Sequence, residues 1–196
     1  MKDPLTAAPD AALLVLYARG DPEAARELTR RFLPRVLGLA TRLLAGDRAE
    51  AEDVAQEAML RLWRIAPDWR QGEAQVGTWL WRVVTNLCTD RLRGARRRAQ
   101  PMGDEMPEVP DGKPGALARL LETDRLAALD AALAALPERQ RQAVVLRHIE
   151  GLTNPEIAQV MDIGVEAVES LTARGKRGLS AILSGQREAL GLAGED

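Results

Sequence analysis

The chain is short of the residues that do covalent and metal chemistry, with one cysteine, one histidine and one tyrosine among 196 residues, and it has a single phenylalanine. A single thiol, Cys88, excludes an intrachain disulfide. Cys88 and His148 together cannot build a zinc site of Cys and His, and they leave almost nothing from which to pair a nucleophile with a base. There is also no glycine-rich phosphate loop, no metal-ligand cluster and no triad-like set, so neither an enzyme nor a cofactor is expected. No run of about 18 apolar residues occurs. The start, Met1-Lys2-Asp3-Pro4, lacks the charged-then-apolar order of a secretory signal. The reading is a soluble, cytoplasmic protein without membrane insertion. An apolar share of 46% is ordinary for a globular chain, and the length allows one domain or two small ones.

An excess of positive charge is lacking too. The formal net charge is −2, which taken alone argues against a nucleic-acid binder. The sum hides the arrangement. Residues 1–81 carry a net −1, residues 82–98 a net +5, residues 99–130 a net −4 and residues 131–196 a net −2. Charge is segregated along the chain, as expected of separate modules.

Apolar residues recur at helical spacing from about residue 11 to 98. Asp21-Pro22 supplies a cap and a first-turn proline for a second helix, in which Pro34 marks a break or kink and which ends near Gly46-Asp47. Residues 49–65 form a third helix, residues 67–76 a loop, and Thr78 opens a last helix that runs into Arg96-Arg97-Arg98. Between Ala99 and about Glu122 lie four prolines, three glycines and several acids, a composition that predicts a flexible, extended linker. The helical pattern then resumes. Pro137-Glu138 restarts a helix, Gly151 ends it, and Thr153-Asn154-Pro155-Glu156 offers a capping box. A short helix, a turn at Asp162-Ile163-Gly164 and a long helix from Val165 complete the chain. With no convincing β alternation, the fold class is all-α: two small helical domains, at 10–98 and 126–187, joined by a linker at 99–125.

Three constellations carry functional information. The segment 153–177 has the form of a helix-turn-helix, with Ile157, Met161, Ile163 and Val168 apolar where the helices pack and small Ala158 at their crossing. Its second helix exposes Glu166, Glu169, Ser170, Thr172, Ala173, Arg174, Lys176 and Arg177, groups able to read base edges and hold phosphates. A plain helical hairpin with a solvated face fits the same pattern.

The second constellation is aromatic. All four tryptophans fall within twenty residues, beside the basic stretch. Trp63 and Trp79 read as core, whereas Trp69 and Trp81, with Thr85 and Asn86, suit unstacked bases of a single strand. Third, Asp53, Gln56, Glu57, Leu60 and Arg64 form a polar stripe with one leucine in it, which fits a partner-helix docking face and an ordinary solvent face about equally.

Residues 51–63, AEDVAQEAMLRLW, followed by 77–93, GTWLWRVVTNLCTDRLR, resemble conserved region 2 of the extracytoplasmic-function sigma factors of bacterial RNA polymerase. Residues 136–144, LPERQRQAV, with 150–153, EGLT, and the helix-turn-helix resemble their region 4. The two motif sets stand in the family's order and cover both domains. The resemblance implies an alternative-type sigma factor that binds core polymerase and directs promoter-specific initiation, the type of factor that serves stress responses. Asp53, Gln56, Glu57 and Leu60 would dock on the β′ clamp helices. Trp69, Trp81, Arg82, Thr85 and Asn86, with Arg91 and Arg93, would capture the melted −10 strand and its phosphates, and melting would follow from differential binding. Glu169, Ser170, Ala173, Arg174, Lys176 and Arg177 would read the −35 element, and region 4 would contact the β-flap. The acidic linker would thread toward the RNA exit path. An anti-sigma factor covering both domains is a further implied partner.

Four positions depart from the family pattern. Glu169 stands where a basic residue is frequent, Leu171 and Ala173 replace commonly polar or basic neighbours, and Asp162 occupies the usual turn glycine. A glutamate can accept from cytosine N4, so a shifted −35 preference is expected. The rival readings are a free-standing helix-turn-helix regulator, which would not need the Trp and Asn set, and a structural adaptor that touches neither polymerase nor DNA.

Overall fold

The computed structural model describes residues 4–70, 72, 75–99 and 117–189. Among these the regular structure is helical throughout: a 3₁₀ turn at Pro4–Ala7, α1 (Asp10–Ala18), α2 (Pro22–Leu43), α3 (Arg48–Ile65), a 3₁₀ turn at Ala66–Asp68, α4 (Val76–Ala99), α5 (Leu117–Ala134), α6 (Glu138–His148), α7 (Asn154–Met161) and α8 (Val165–Ala189). The all-α expectation holds.

Local chemistry explains most boundaries. The Asp21 carboxylate accepts from the amides of Glu23 (2.9 Å) and Ala24 (3.3 Å), with Pro22 pre-set for the first turn of α2. Asp47 caps α3 in the same way, through Glu50 N at 3.1 Å. Gly46, at φ +91°, makes the left-handed bend between them. Pro34 does not end α2. It lies on the exposed side of a helix whose inner stripe, Ala24, Leu28, Phe32, Val36, Leu39 and Leu43, is buried along its whole length, and that burial carries the helix past one missing amide.

The expected linker is shorter than its composition suggested. Helix α5 begins at Leu117, so residues 117–125 are helical backbone. Leu117, Leu120 and Leu121, among residues of good helix propensity, resume a helical pattern there that the prolines and glycines upstream had obscured. Residues 100–116, where the extended acidic segment was expected, lie outside the described residues.

Helices α1, α3 and α4 pack around α2, while α5 and α6 pack on α8 and α7 closes the second group against α6 and α8. The two groups are in contact. Helix α7 lies on α4, and α5 and α6 lie on α2, so the buried apolar residues form one continuous cluster from Leu13 to Val168. Arg31 ties the N-terminal segment down: its guanidinium donates to the carbonyls of Leu5, Thr6 and Ala8 at 2.8–3.0 Å and to the carboxylates of Asp10 (2.6 Å) and Glu27 (2.7 Å). Bonds from Arg30 and Arg31 hold Glu27 down at a pKa of about 2.

Candidate nucleic-acid interface

The capping box predicted at Thr153 is formed. The amide and hydroxyl of Thr153 both donate to Glu156 Oε2 at 2.7 Å, which lowers the carboxyl's pKa and fixes the start of α7. Ile157, Val160 and Met161 bury the inner side of α7. Asp162 then takes the left-handed conformation, φ +52° and ψ +55°, with its amide and that of Ile163 (3.1 Å) donating to Ala158 O. Short polar side chains tolerate this region better than most, which is how the turn closes without glycine. Val168, fully buried, anchors α8 beneath it.

The outer face of α8 presents Glu166, Glu169, Ser170, Ala173, Arg174, Lys176 and Arg177, all exposed. Arg174 folds back on the previous turn, donating to Ser170 Oγ (3.0 Å) and Ser170 O (3.3 Å). Asn154, at the start of α7, donates to Glu169 Oε1 at 3.4 Å and ties the two helices at the mouth of the candidate reading face. Thr172 differs from expectation. It is half-buried, and its Oγ1 is enclosed without a partner, because position 172 turns toward the packed side of α8.

On α4 the expected contact residues divide into three groups. Arg82, Asn86 and Arg93 are exposed, and with Arg97 their spacing of four, seven and four puts them on one stripe. Trp81 and Thr85, expected at the surface, are only 2% and 3% exposed. Phe32 meets the Trp81 ring edge-on at 6.1 Å, and the Arg35 guanidinium stacks on it at 4.7 Å. The expectation that Trp81 stands clear while Trp63 and Trp79 fill the core is therefore corrected: Trp63 and Trp79 are half-buried and Trp81 is the core residue. Trp69 is half-buried against the edge of Trp79, 6.0 Å between ring centres, with its Nε1 enclosed and unpartnered.

Arg91 forms the third group, since it turns inward to α3, pairing with Glu50 and lying 3.9 Å from Asp53. Cys88 is fully buried, and burial pushes its thiol up to about 12, so it is an unreactive packing group.

The α3 stripe is on the surface. Asp53, Gln56 and Leu60 are exposed, Leu60 at 40%, while Glu57 is half-buried, bonded by Arg61 Nε at 2.8 Å and held below the usual carboxylate range by that bond. Beside it runs a feature not expected from sequence. A groove of about 470 Å³ lies between α2 and α3, floored by Leu33, Leu37, Ala55, Met59 and Trp63 with Leu60 on its rim. The available signal was Leu33 and Leu37, an i, i+4 pair outside the inner stripe of α2. Among the described residues no cluster could hold a metal ion, and no helix is long and apolar enough to cross a membrane.

Comparison with known proteins adds independent information. The family model for sigma-70 region 2 matches residues 28–98, and that for sigma-70 region 4 matches residues 126–179. The chain is 34% identical over 175 residues to the ECF RNA polymerase sigma factor SigM of Mycobacterium tuberculosis, covering 89% of this chain and 84% of that protein. It is 32% identical over 188 residues to the RNA polymerase sigma-H factor of Pseudomonas aeruginosa, covering 91% and 96%. Among solved structures it is similar to CnrH in complex with the cytosolic domain of CnrY, at a TM-score of 0.63 and 27% identity over 90% of this chain and 97% of that one. The fold is also that of the sigma factor RpoE of Bartonella quintana, solved with the anti-sigma factor NepR, at a TM-score of 0.64 and 19% identity over 81% and 96%.

Proposed function

The chain belongs to the extracytoplasmic-function sigma factors, alternative sigma factors that direct promoter-specific transcription by RNA polymerase, and from that membership we propose which of its surfaces perform each step. Helix α3, through Asp53, Gln56, Glu57 and Leu60 and the apolar groove beside them, docks on the β′ clamp helices of core polymerase. A half-exposed leucine flanked by polar groups and an open apolar groove suits an incoming amphipathic helix. The exposed face of α8 reads the −35 element in duplex DNA. Glu169, pre-oriented by Asn154, accepts from a base edge, while Arg174, Lys176 and Arg177 hold phosphates.

The −10 element is bound by α4. Its outer stripe meets the melted strand, with Asn86 bonding a flipped base and Arg82 and Arg93 holding phosphates. Trp69 contributes an indole face beside the loop, and Trp81, packed on Phe32, holds α4 against α2 beneath the stripe. Arg91 orients α4 on α3 through Glu50 and Asp53. No bond is made or broken by this chain. Strand opening follows from tighter binding to the melted state than to the duplex, in the cytoplasm where polymerase acts. The neighbour solved with the anti-sigma factor NepR supports a partner of that kind here. We take residues 10–98 and 126–187 as the working modules.

The observation that carries this reading is the pairing, in one chain, of an exposed Arg82–Asn86–Arg93 stripe in the region 2 match with an exposed polar face on the second helix of a helix-turn-helix in the region 4 match. A free-standing regulator would leave the first module without a task. Purified protein added to core polymerase should yield promoter-specific transcripts from a genomic library. No stimulation over core alone, on any promoter, refutes the assignment.

A further inference from the structure

Between Ile149 and Ala173 the chain carries five acids, Glu150, Glu156, Asp162, Glu166 and Glu169, and no lysine or arginine. Two of the acids are occupied: Glu150 pairs with Arg35, and Glu156 is held by the Thr153 cap. Asp162, Glu166 and Glu169 are exposed, with no cation within salt-bridge distance among the described residues. The cations of α8 begin only at Arg174, and Arg174 is itself turned back on Ser170. The face assigned to the −35 element is therefore divided, acidic over the first two turns of α8 and basic beyond them.

In a helix-turn-helix the first residues of the second helix are the ones that meet base edges. A carboxylate there is repelled by the phosphates flanking the groove and gains only where a base presents a donor. Cytosine fits best. Its major-groove edge offers the N4 amino group and no acceptor, whereas adenine sets N7 beside its N6 amino group, and guanine and thymine offer acceptors but no donor. Glu169 is also the acid with a partner on the other helix. Asn154 of α7 donates to its Oε1 at 3.4 Å, which leaves Oε2 to accept from outside. A paired cytosine turns one N4 hydrogen into the groove, so one donor meets one acceptor.

We propose that Asn154 and Glu169 act as a unit that selects a C·G pair in the −35 element, Glu169 accepting from cytosine N4 and Asn154 serving as the positioning residue that restricts its carboxylate. The proposal rests on the assignment of α8 to the −35 element and names the base which that face reads. Holding one carboxylate oxygen in advance reduces the rotamer entropy that a long side chain loses on contact. The charge also works by exclusion, because an acceptor edge at the same position is rejected by repulsion as well as by the missing bond.

The test uses holoenzyme formed from the full chain and core polymerase, with a duplex promoter library that has a fixed −10 element and a randomised −35 region. The bound fraction is sequenced. The wild type should show a position, sensitive to substitution of Glu169, at which cytosine is preferred about tenfold over every other base. Glu169→Gln, which puts an amide donor beside the acceptor, should abolish that preference in favour of adenine, whose N6 and N7 match an amide. Asn154→Ala should reduce it to about threefold at that position alone, whereas a merely structural loss would weaken binding at all positions alike. Co-purification with core in wild-type amounts establishes that each variant is folded.

A Glu169→Gln holoenzyme that still selects cytosine at that position overturns the proposal, as does a wild-type preference there for any other base. An Asn154→Ala profile identical to the wild type breaks the unit and overturns it too. If Glu169→Gln, Ser170→Ala, Arg174→Ala and Lys176→Ala all leave the −35 profile unaltered at every position, the assignment of α8 has failed, and the cytosine reader with it.

Discussion

Gly175 lies inside α8 at its crossing with α6, and replacing it by alanine tests how tightly the two helices meet there. A Cβ at this position would stand 2.6 Å from Val144 Cγ2, 3.1 Å from the backbone oxygen of Gln140 and 3.3 Å from Gln140 Cβ. Two opposing effects decide the sign. In a helix interior, glycine to alanine alone is stabilising by about 1 kcal/mol, whereas an added methyl in a closed contact costs about 1–3 kcal/mol. Because one obstructing atom is backbone, no side-chain rotation relieves the clash and α6 and α8 must move apart. The second effect should win, for a net loss of up to about 2 kcal/mol. Midpoints shift by roughly 2–4 °C per kcal/mol for a chain of this size, so a fall of several degrees is expected in a thermal melt. Gly185, on the exposed part of the same helix with nothing within 4 Å of its Cβ position, is the control: Gly185→Ala should raise stability by about 0.5–1 kcal/mol. Val144→Ala should cost less in the Gly175→Ala background than in the wild type, since it removes the nearer obstacle. A Gly175→Ala protein as stable as the wild type would show that the crossing is not tight and refute the reasoning.

Four further outcomes are expected. Leu60→Glu, at an exposed position, should leave the melting temperature within about 2 °C of wild type while weakening co-purification with core polymerase at least tenfold; unaltered co-purification would remove α3 from that interface. Asn86→Ala should slow promoter opening, followed by permanganate reactivity of the melted strand, and leave core binding unchanged; equal loss of both would move the base pocket elsewhere. Glu169→Arg should alter the −35 preference in a selection from randomised promoters, and an identical profile would count against α8 as the reader. The fourth concerns acid. Because Glu27 is held well below its unfolded value, its contribution to stability is complete above about pH 4.5 and lost as pH falls toward 2. Glu27→Gln should flatten that part of a urea-midpoint profile, and a variant whose midpoint still falls as steeply would place the acid sensitivity in other carboxylates.

Local signals in the sequence carried the helices well and their mutual contacts poorly. Asp21-Pro22, Asp47 and the Thr153–Glu156 box each encode an end within one turn of chain, and each is formed. Pro34 misled because a helix interior is decided by burial as well as by the lost amide, and α2 buries eight residues along its length. The division of tryptophans failed for a related reason. Periodicity assigns Trp79 and Trp81 to different faces of α4, but which face meets α2 depends on Phe32 and Arg35, about fifty residues away in sequence. Arg91 likewise belonged by sequence to a basic run; only the approach of α3 gives it Glu50 and Asp53.

The charge pattern that first argued against nucleic acid is reshaped by pairing. Much of the positive charge around α4 is answered within the chain: Arg91 by Glu50, Arg96 by Glu138, and Arg35 over Trp81 by Glu150. Arg82, Arg97 and Arg98 have no carboxylate partner within salt-bridge distance among the described residues. Cations left unpaired are the ones able to displace counterions from a phosphate backbone, so the salt dependence of strand binding should report on them. Arg82→Ala should flatten the slope of log affinity against log salt by about 0.7, one single-strand phosphate contact, and an unchanged slope would mean that Arg82 does not touch the strand.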